Sequence, residues 1–250
     1  MKSKAVFFTI VDDYYYNPVG TQILINSFKT FHPDIDLVVF RQDIINKVFA
    51  EHKICFYNCK PTFAKLLTPY YDLAVNIDAD SIILGSLNEI LADDYDVGAP
   101  INKNDYENSS HEEITENMFL QAGLVASRSL DFWNIWEEEN KTCMGYKSRE
   151  NTAMNIVWYR KLHSHRLRLK TFDEDQDYYG CKSLGREKEF YMSNGKVMCR
   201  GEQVFIYHSA KGETNLPKFH FENMGFPNDV CEFMHRVGEF GKSVLYGSFC

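Results

Sequence analysis

Two carboxylates, Asp78 and Asp80, interrupt the apolar run LAVNIDADSIILG at residues 73–85. Alternate residues of an extended chain point to the same side, so the pair can converge on one cation. Burying one unpaired carboxylate costs roughly several kcal/mol, and two adjacent ones also repel. A divalent metal removes both penalties. Oxygen ligands suit Mg²⁺ or Mn²⁺ in an octahedral site completed by phosphate oxygens and water. The alternative is that both residues only cap turns at a strand end.

The D-x-D pattern carries little by itself, since it also occurs at 34/36, 94/96, 173/175 and 175/177. The acidic stretch DEDQD at 173–177 has no apolar strand leading into it and reads as a solvated loop. Only at 78/80 does an apolar strand arrive at the pair and a further apolar run, Ile82 to Leu84, leave it.

Such a pair must be delivered by a sheet. The first hundred residues alternate strand-like and helix-like segments: strands at 5–11, 35–40, 54–57 and 73–77, and helices from Asn17-Pro18 to His32, at 43–52 and at 61–70. Asn17 is an N-cap candidate, Pro18 suits the first helical position, and Pro33 closes the helix. Strands separated by helix-length crossovers predict an α/β fold, with a mostly parallel, doubly wound central sheet and helices on both faces. Ligands bind at the carboxyl ends of the strands in such sheets. Asp78 and Asp80 sit at that end of the fourth strand, and Tyr14, Tyr15 and Tyr16 lie just beyond the first.

The second half is less regular. Short strands are expected at 96–99, 123–127 and 204–207, and helices at 131–139 and 150–161. Val230, Phe233, Met234 and Val237 follow helical spacing behind Asn228-Asp229 and predict a C-terminal amphipathic helix. No repeat, linker or domain boundary is visible, so residues 1–250 read as one domain. Its parts are a nucleotide-binding half (1–100), a sugar and acceptor half (101–215) and a helical extension (216–250).

At 250 residues and 44 % hydrophobic, the chain can bury a sizeable core. A net charge of −8 and the absence of a basic stripe argue against a nucleic-acid partner. No apolar run reaches the roughly 18 residues of a membrane span. The start, MKSKAVFFTIVDD, reads as a first core strand rather than a signal peptide. Seven cysteines form no CxxC pair, which points to reduced thiols in the cytoplasm. Sequons at Asn108 and Asn140 mean little without an export signal.

Strand, D-x-D and strand, with an aromatic stretch after strand one, resemble the GT-A class of nucleotide-sugar glycosyltransferases. More narrowly, FAKLLTPYYDLAVNIDADSIILGSLNEIL (63–91) resembles glycosyltransferase family 8, the glycogenin-like group. FLQAGLVAS (119–127) is similar to that family's N-[AS]-G strand, with Gln121 where Asn is usual. ENTAMN (150–155) is similar to its D-Q-x-x-L-N segment, with Glu150 and Asn151 replacing Asp and Gln. YHSAKG (207–212) resembles its late H-x-x-G-x-x-K-P-W segment.

The resemblance implies a GT-A fold and a Mn²⁺ (or Mg²⁺) held by Asp78, Asp80 and His208. It implies donor contacts from Asp78, Ala79, Asp80, Lys65, Gln121 and Lys211, and from Thr9, Val11, Tyr14 and Tyr15 after the first strand. Glu150 and Asn151 fall at the reacting face of the transferred sugar and are the catalytic candidates. The bland account of Glu150 is a carboxylate favourable to a helix N-terminus. The implied activity is transfer of a hexose from a nucleoside diphosphate sugar, UDP-sugar foremost, to an unknown glycan, protein or small-molecule acceptor, with retention. Trp133 and Trp136, at i and i+3, read as core. A sugar nucleotidyltransferase and a non-catalytic sugar-nucleotide or glycan-binding protein remain as alternatives. Residues 216–250 are candidates for covering the acceptor side or for association into a homodimer.

Overall fold

The computed structural model describes residues 3–11, 18–52, 59–102, 119–143, 149–172, 179–181, 187–208 and 225–239. The strand expected at 54–57, the tyrosines at 14–16, Lys211, Asn108 and the DEDQD stretch lie outside them.

The first strand, β1 (Ser3–Ile10), leads into α1 (Pro18–Phe31). Proline has no N–H to leave unsatisfied at a helix start, and Pro33 cannot continue the ladder at the other end. The Lys29 ammonium donates to the carbonyls of Pro33 and Ile35 at 3.3 and 2.6 Å, where cations favour a helix C-terminus. Next come β2 (Asp36–Phe40), α2 (Gln42–His52), α3 (Lys60–Leu67) and β3 (Tyr71–Ile77), close to the expected positions. After β3 the chain runs through β4 (Ser81–Ile83), α4 (Asn88–Leu91), β5 (Val97–Asn102), β6 (Phe119–Leu120) and β7 (Leu124–Ser127). It continues with α5 (Leu130–Thr142), α6 (Arg149–Ile156) and β8 (Leu169–Phe172). The remaining elements are β9 (Tyr179–Cys181), β10 (Phe190–Ser193), β11 (Lys196–Cys199), β12 (Glu202–Gln203), β13 (Ile206–His208) and α7 (Asn228–Glu239).

The central sheet has the order β2-β1-β3-β7-β5-β6, with β8 beside β5. Pairing is parallel for β1 with β2 and β3, and for β5 with β8. Within this mostly parallel sheet, β7 runs antiparallel between β3 and β5, and β6 runs antiparallel to β5. The reversal has a consequence. Residues 121–123 join β6 to β7, which both run antiparallel to β5, and β7 begins level with the carboxyl end of β3, where Leu124 faces Ile77.

Strand alternation divides the core. Phe7, Leu73, Val75 and Ile77 pack with α1, α7 and the small strands β4 and β13, whereas Val6, Phe8 and Ala74 pack with α2, α3, α5 and α6. Both faces of the sheet are therefore covered. On the first face, α7 buries Val230, Phe233, Met234 and Val237 as its spacing predicts. Asn26 on α1 donates to the Gly238 carbonyl at 2.7 Å, and a Cβ at Gly238 would meet Ile23 at 3.3 Å. On the second face, Trp133 and Trp136 are fully buried and stack 5.8 Å apart. Asn140 is also buried in this layer, so its sequon is closed to a glycan in the folded chain.

The helix expected at 150–161 changes character at Val157, where α6 passes into a π-helical turn through Lys161 and then a 3₁₀ turn. The wider turn keeps Val157, Trp158 and Leu162 in the core. No helix among the described residues is long and apolar enough to cross a membrane.

Candidate metal and donor site

The Asp78–Asp80 turn follows β3 directly. Its backbone is pinned from the neighbouring strand, because Asp78 N–H donates to the Gly123 carbonyl at 2.9 Å. The chain then enters β4, which pairs antiparallel with β13 and sets His208 opposite Ser81. That register places the third group. His208 Nε2 lies 2.9 Å from Asp80 Oδ1 and 3.5 Å from Asp78 Oδ2, and all three candidate ligand atoms lie within 4.8 Å of one another. His208 is buried, and the two carboxylates are half-buried.

Two carboxylates and an imidazole form a hard, mixed O/N donor set with room for further oxygen ligands, as Mn²⁺ or Mg²⁺ requires. Gly123 makes the approach possible: a Cβ there would lie 3.1 Å from both Asp78 Oδ2 and His208 Cε1.

The cation next to the acidic pair is Lys60, at the start of α3. Its ammonium reaches Asp78 Oδ1 at 2.7 Å, Glu150 Oε1 at 2.9 Å and the Ala122 carbonyl at 3.0 Å. Burial alone would depress this ammonium, but Asp78 and Glu150 hold it well above its ordinary pKa. For Asp78, burial opposes ionisation, yet Lys60 and His208 outweigh it and keep the carboxyl below the usual carboxylate range. Glu150 shifts the other way, because burial lifts its carboxyl more than Lys60 lowers it.

Lys65, expected to touch the donor, is elsewhere. Five residues along an α-helix turn the side chain by about 140° from Lys60. Its ammonium instead meets Glu137 of α5 at 2.6 Å, and Thr62 donates to the same carboxylate. The pairing keeps Glu137 ionised despite its burial.

Glu150 and Asn151 open α6 at the site. The Trp136 indole N–H donates to the Glu150 carbonyl at 3.4 Å, so the buried aromatic pair supports this helix end. Asn151 Oδ1 accepts from Ala122 N–H at 2.8 Å. One turn on, Asn155 holds both backbone groups of Leu120, accepting from its N–H at 2.8 Å and donating to its carbonyl at 2.9 Å. Two asparagines on one face of α6 thus clamp the 120–123 turn.

Gln121 lies within that turn, with its N–H on the Pro100 carbonyl at 3.0 Å. Ala79 separates the two aspartates. On β1, Thr9 is fully buried and its hydroxyl has no partner among the described residues, while Val11 N–H donates to Phe40.

The sequence reading missed Lys60, Gly123 and Asn155. A signal existed for Lys60: a lysine in the first turn of a helix opposes the macrodipole, which implies an anionic partner elsewhere.

Fold and site together define a mixed α/β protein with an Asp-x-Asp and histidine cluster at the carboxyl edge of its parallel strands. No known family model and no curated protein matches the chain. Among solved structures, it is similar to the bifunctional glycosyltransferase WbbM in its apo form. That match has 15 % identity and a TM-score of 0.49, over 69 % of this chain and 39 % of that one. It is similar to the glycosyltransferase GlyE of Streptococcus pneumoniae at 12 % identity and a TM-score of 0.44, over 69 % of this chain and 46 % of that one. It is also similar to the galactosyltransferase LgtC in complex with donor and acceptor sugar analogs. Here identity is 15 % and the TM-score 0.48, over 96 % of both chains. The chain thus spans less than half the length of the first two.

Proposed function

We propose that the chain is a metal-dependent glycosyltransferase of the GT-A class that moves a hexosyl group from a nucleoside diphosphate sugar, UDP-sugar foremost, to an acceptor. The observation that carries this reading is the convergence of Asp78, Asp80 and His208. These residues come from the turn after β3 and from β13, far apart in the sequence, and meet at the carboxyl edge of a sheet. Among the described residues there, Lys60 pairs with two carboxylates, Asp78 and Glu150, while Asp80 meets the His208 imidazole. That imbalance suits a divalent ion and a bound diphosphate.

Transfer breaks the bond between the anomeric carbon and the diphosphate oxygen and joins that carbon to an acceptor oxygen. When bound, the ion supplies Lewis-acid stabilisation of the leaving diphosphate. The protein's own groups prepare the site. Asp78, Asp80 and His208 hold the ion, Lys60 fixes Asp78 and Glu150, and Asn151 and Asn155 fix the turn beneath them. Glu150, held by Lys60, and the adjoining Asn151 are the residues this reading assigns to the transferred sugar. Retention is the outcome that the family-8 resemblance implies.

The test is a thermal-shift series with UDP and GDP, with and without Mn²⁺, followed by an assay for released UDP in the presence of UDP-sugars. A saturating ligand should stabilise by roughly 2–4 kcal/mol. Mn²⁺-dependent stabilisation that disappears in Asp80→Asn supports the reading, and no response to any nucleotide sinks it. Stabilisation without UDP release under any donor identifies a binding protein instead.

A further inference from the structure

Asn155 is a fully buried amide inside the helical run that starts at Arg149 and continues through Lys161. Asparagine is a poor helix former, and a buried amide is costly unless it is bonded. Its Nδ2 donates to the Asn151 carbonyl at 2.7 Å and to the Leu120 carbonyl at 2.9 Å, and its Oδ1 accepts from the Leu120 N–H at 2.8 Å. Donating to and accepting from one residue repeats the pattern of a β-ladder pair. Leu120 ends β6, the last strand in the order of the central sheet, so Asn155 stands where a further strand would pair.

The next residues reach the site. The Ala122 carbonyl accepts from Lys60 at 3.0 Å and from Asn76 at 3.3 Å, and the Gly123 carbonyl accepts from Asp78 N–H at 2.9 Å. Little slack remains there, since a Cβ on Gly123 would stand 3.1 Å from Asp78 Oδ2 and His208 Cε1.

We propose that Asn155 is a positioning residue: its amide fixes Leu120 and, through residues 120–123, sets where Asp78 and His208 meet the ion. The inference rests on the reading that Asp78, Asp80 and His208 bind a divalent ion. The residue type matters, because the position needs a donor and an acceptor on one short side chain. Aspartate lacks the donor, leucine lacks both, and glutamine is one methylene longer. Without the amide, both Leu120 groups lose their partner, and the segment that holds Asp78 and Lys60 loses its anchor on α6. Partners that only support metal ligands contribute about 10–100-fold to affinity, because ligand geometry tolerates less displacement than a packed core does.

The experiment measures Mn²⁺ affinity by titration calorimetry, and melting temperature, on the whole chain. Three proteins are compared: the wild type, Asn155→Leu and Asn26→Leu. Asn26 is also buried and also ties a helix to a backbone carbonyl, that of Gly238, but on the opposite face of the sheet. Both variants should melt below the wild type. Asn155→Leu alone should weaken Mn²⁺ binding as well, by about tenfold, the low end for a supporting partner. If circular dichroism shows the leucine variant unfolded, Asn155→Ser, which leaves room for a water at Leu120, takes its place with a weakened affinity expected. A folded Asn155 variant with the wild-type affinity overturns the role given to Asn155 and leaves the metal site standing. An equal loss in Asn26→Leu overturns it too, since affinity would then follow stability alone. A wild type that binds no Mn²⁺, with or without UDP, overturns the metal reading and the role of Asn155 together.

Discussion

Asp78-Ala79-Asp80 and Asp94-Tyr95-Asp96 have the same spacing in opposite settings. The second pair precedes β5, at the amino edge of the sheet, because β5 and β3 run the same way on either side of the reversed β7. Each of its carboxylates has its own cation. Asp94 accepts from Lys170 at 2.9 Å, and Asp96 receives the Arg168 guanidinium fork at 2.8 and 3.1 Å. Between them Tyr95 is buried and donates to the Ile90 carbonyl, so the spacing there straddles a core ring. At the carboxyl edge Asp78 instead shares Lys60 with Glu150, and Asp80 meets the His208 imidazole. Spacing puts two carboxylates on one side of the chain, and charge balance decides whether they still call for a cation.

The sharpest way to break this contrast is to neutralise one acid in each pair. Asp80→Asn should weaken Mn²⁺ binding by at least about 100-fold, since losing even a supporting partner of a ligand costs 10–100-fold. Asp94→Asn should leave it unchanged, and calorimetric titration with Mn²⁺ reads both.

A lysine removed from each pair gives a large effect on stability instead. Lys60→Met strands Asp78 and Glu150 without their cation and should cost about 3 kcal/mol in urea unfolding, the low end for a broken buried pair. Lys170→Met at the exposed pair should fall near the small values of surface ion pairs. Added Mn²⁺ should restore much of the loss in Lys60→Met and none in Lys170→Met.

Gly123→Ala tests the close approach. Its Cβ would press on Asp78 Oδ2 and His208 at 3.1 Å. Mn²⁺ affinity should drop by about tenfold with little change in melting temperature, as expected where ligand geometry is disturbed and the core is not.

Acid gives the smallest effect. Hydrogen bonds from Lys170 and Arg168 lower the carboxyls of Asp94 and Asp96 below the ordinary 3.8. A depressed folded-state pKa stabilises above the unfolded value and is lost as pH falls through the folded one. Asp94→Asn with Asp96→Asn should therefore follow the wild type from neutral pH down to about pH 5. Below about pH 4 it should lose less stability than the wild type in thermal melts.

Much of the first hundred residues was legible because the signals are local. Pro18 and Pro33 bracket α1, and the apolar strand 73–77 leads visibly into Asp78. The C-terminal helix was readable from four apolar positions. The reversal of β7 was not, since a strand's periodicity is the same in either direction and only its neighbours set the polarity. Lys60 was passed over for Lys65 for a similar reason. Both stand on one short helix, and the rotation that turns one towards Asp78 and the other towards Glu137 depends on how α3 packs against α5.

The sequence by itself determined most elements up to β3, the C-terminal helix, the apolar approach to Asp78 and Asp80, and the chemistry those carboxylates can do. Tertiary structure alone decided which groups complete them. His208 arrives through the pairing of β13 with β4, Gly123 through the reversed β7, and Lys60 and Glu150 through helices on one face of the sheet. Local propensity acts over a few residues, whereas a site with unbalanced buried charge is assembled by contacts between segments that only the packed core brings together.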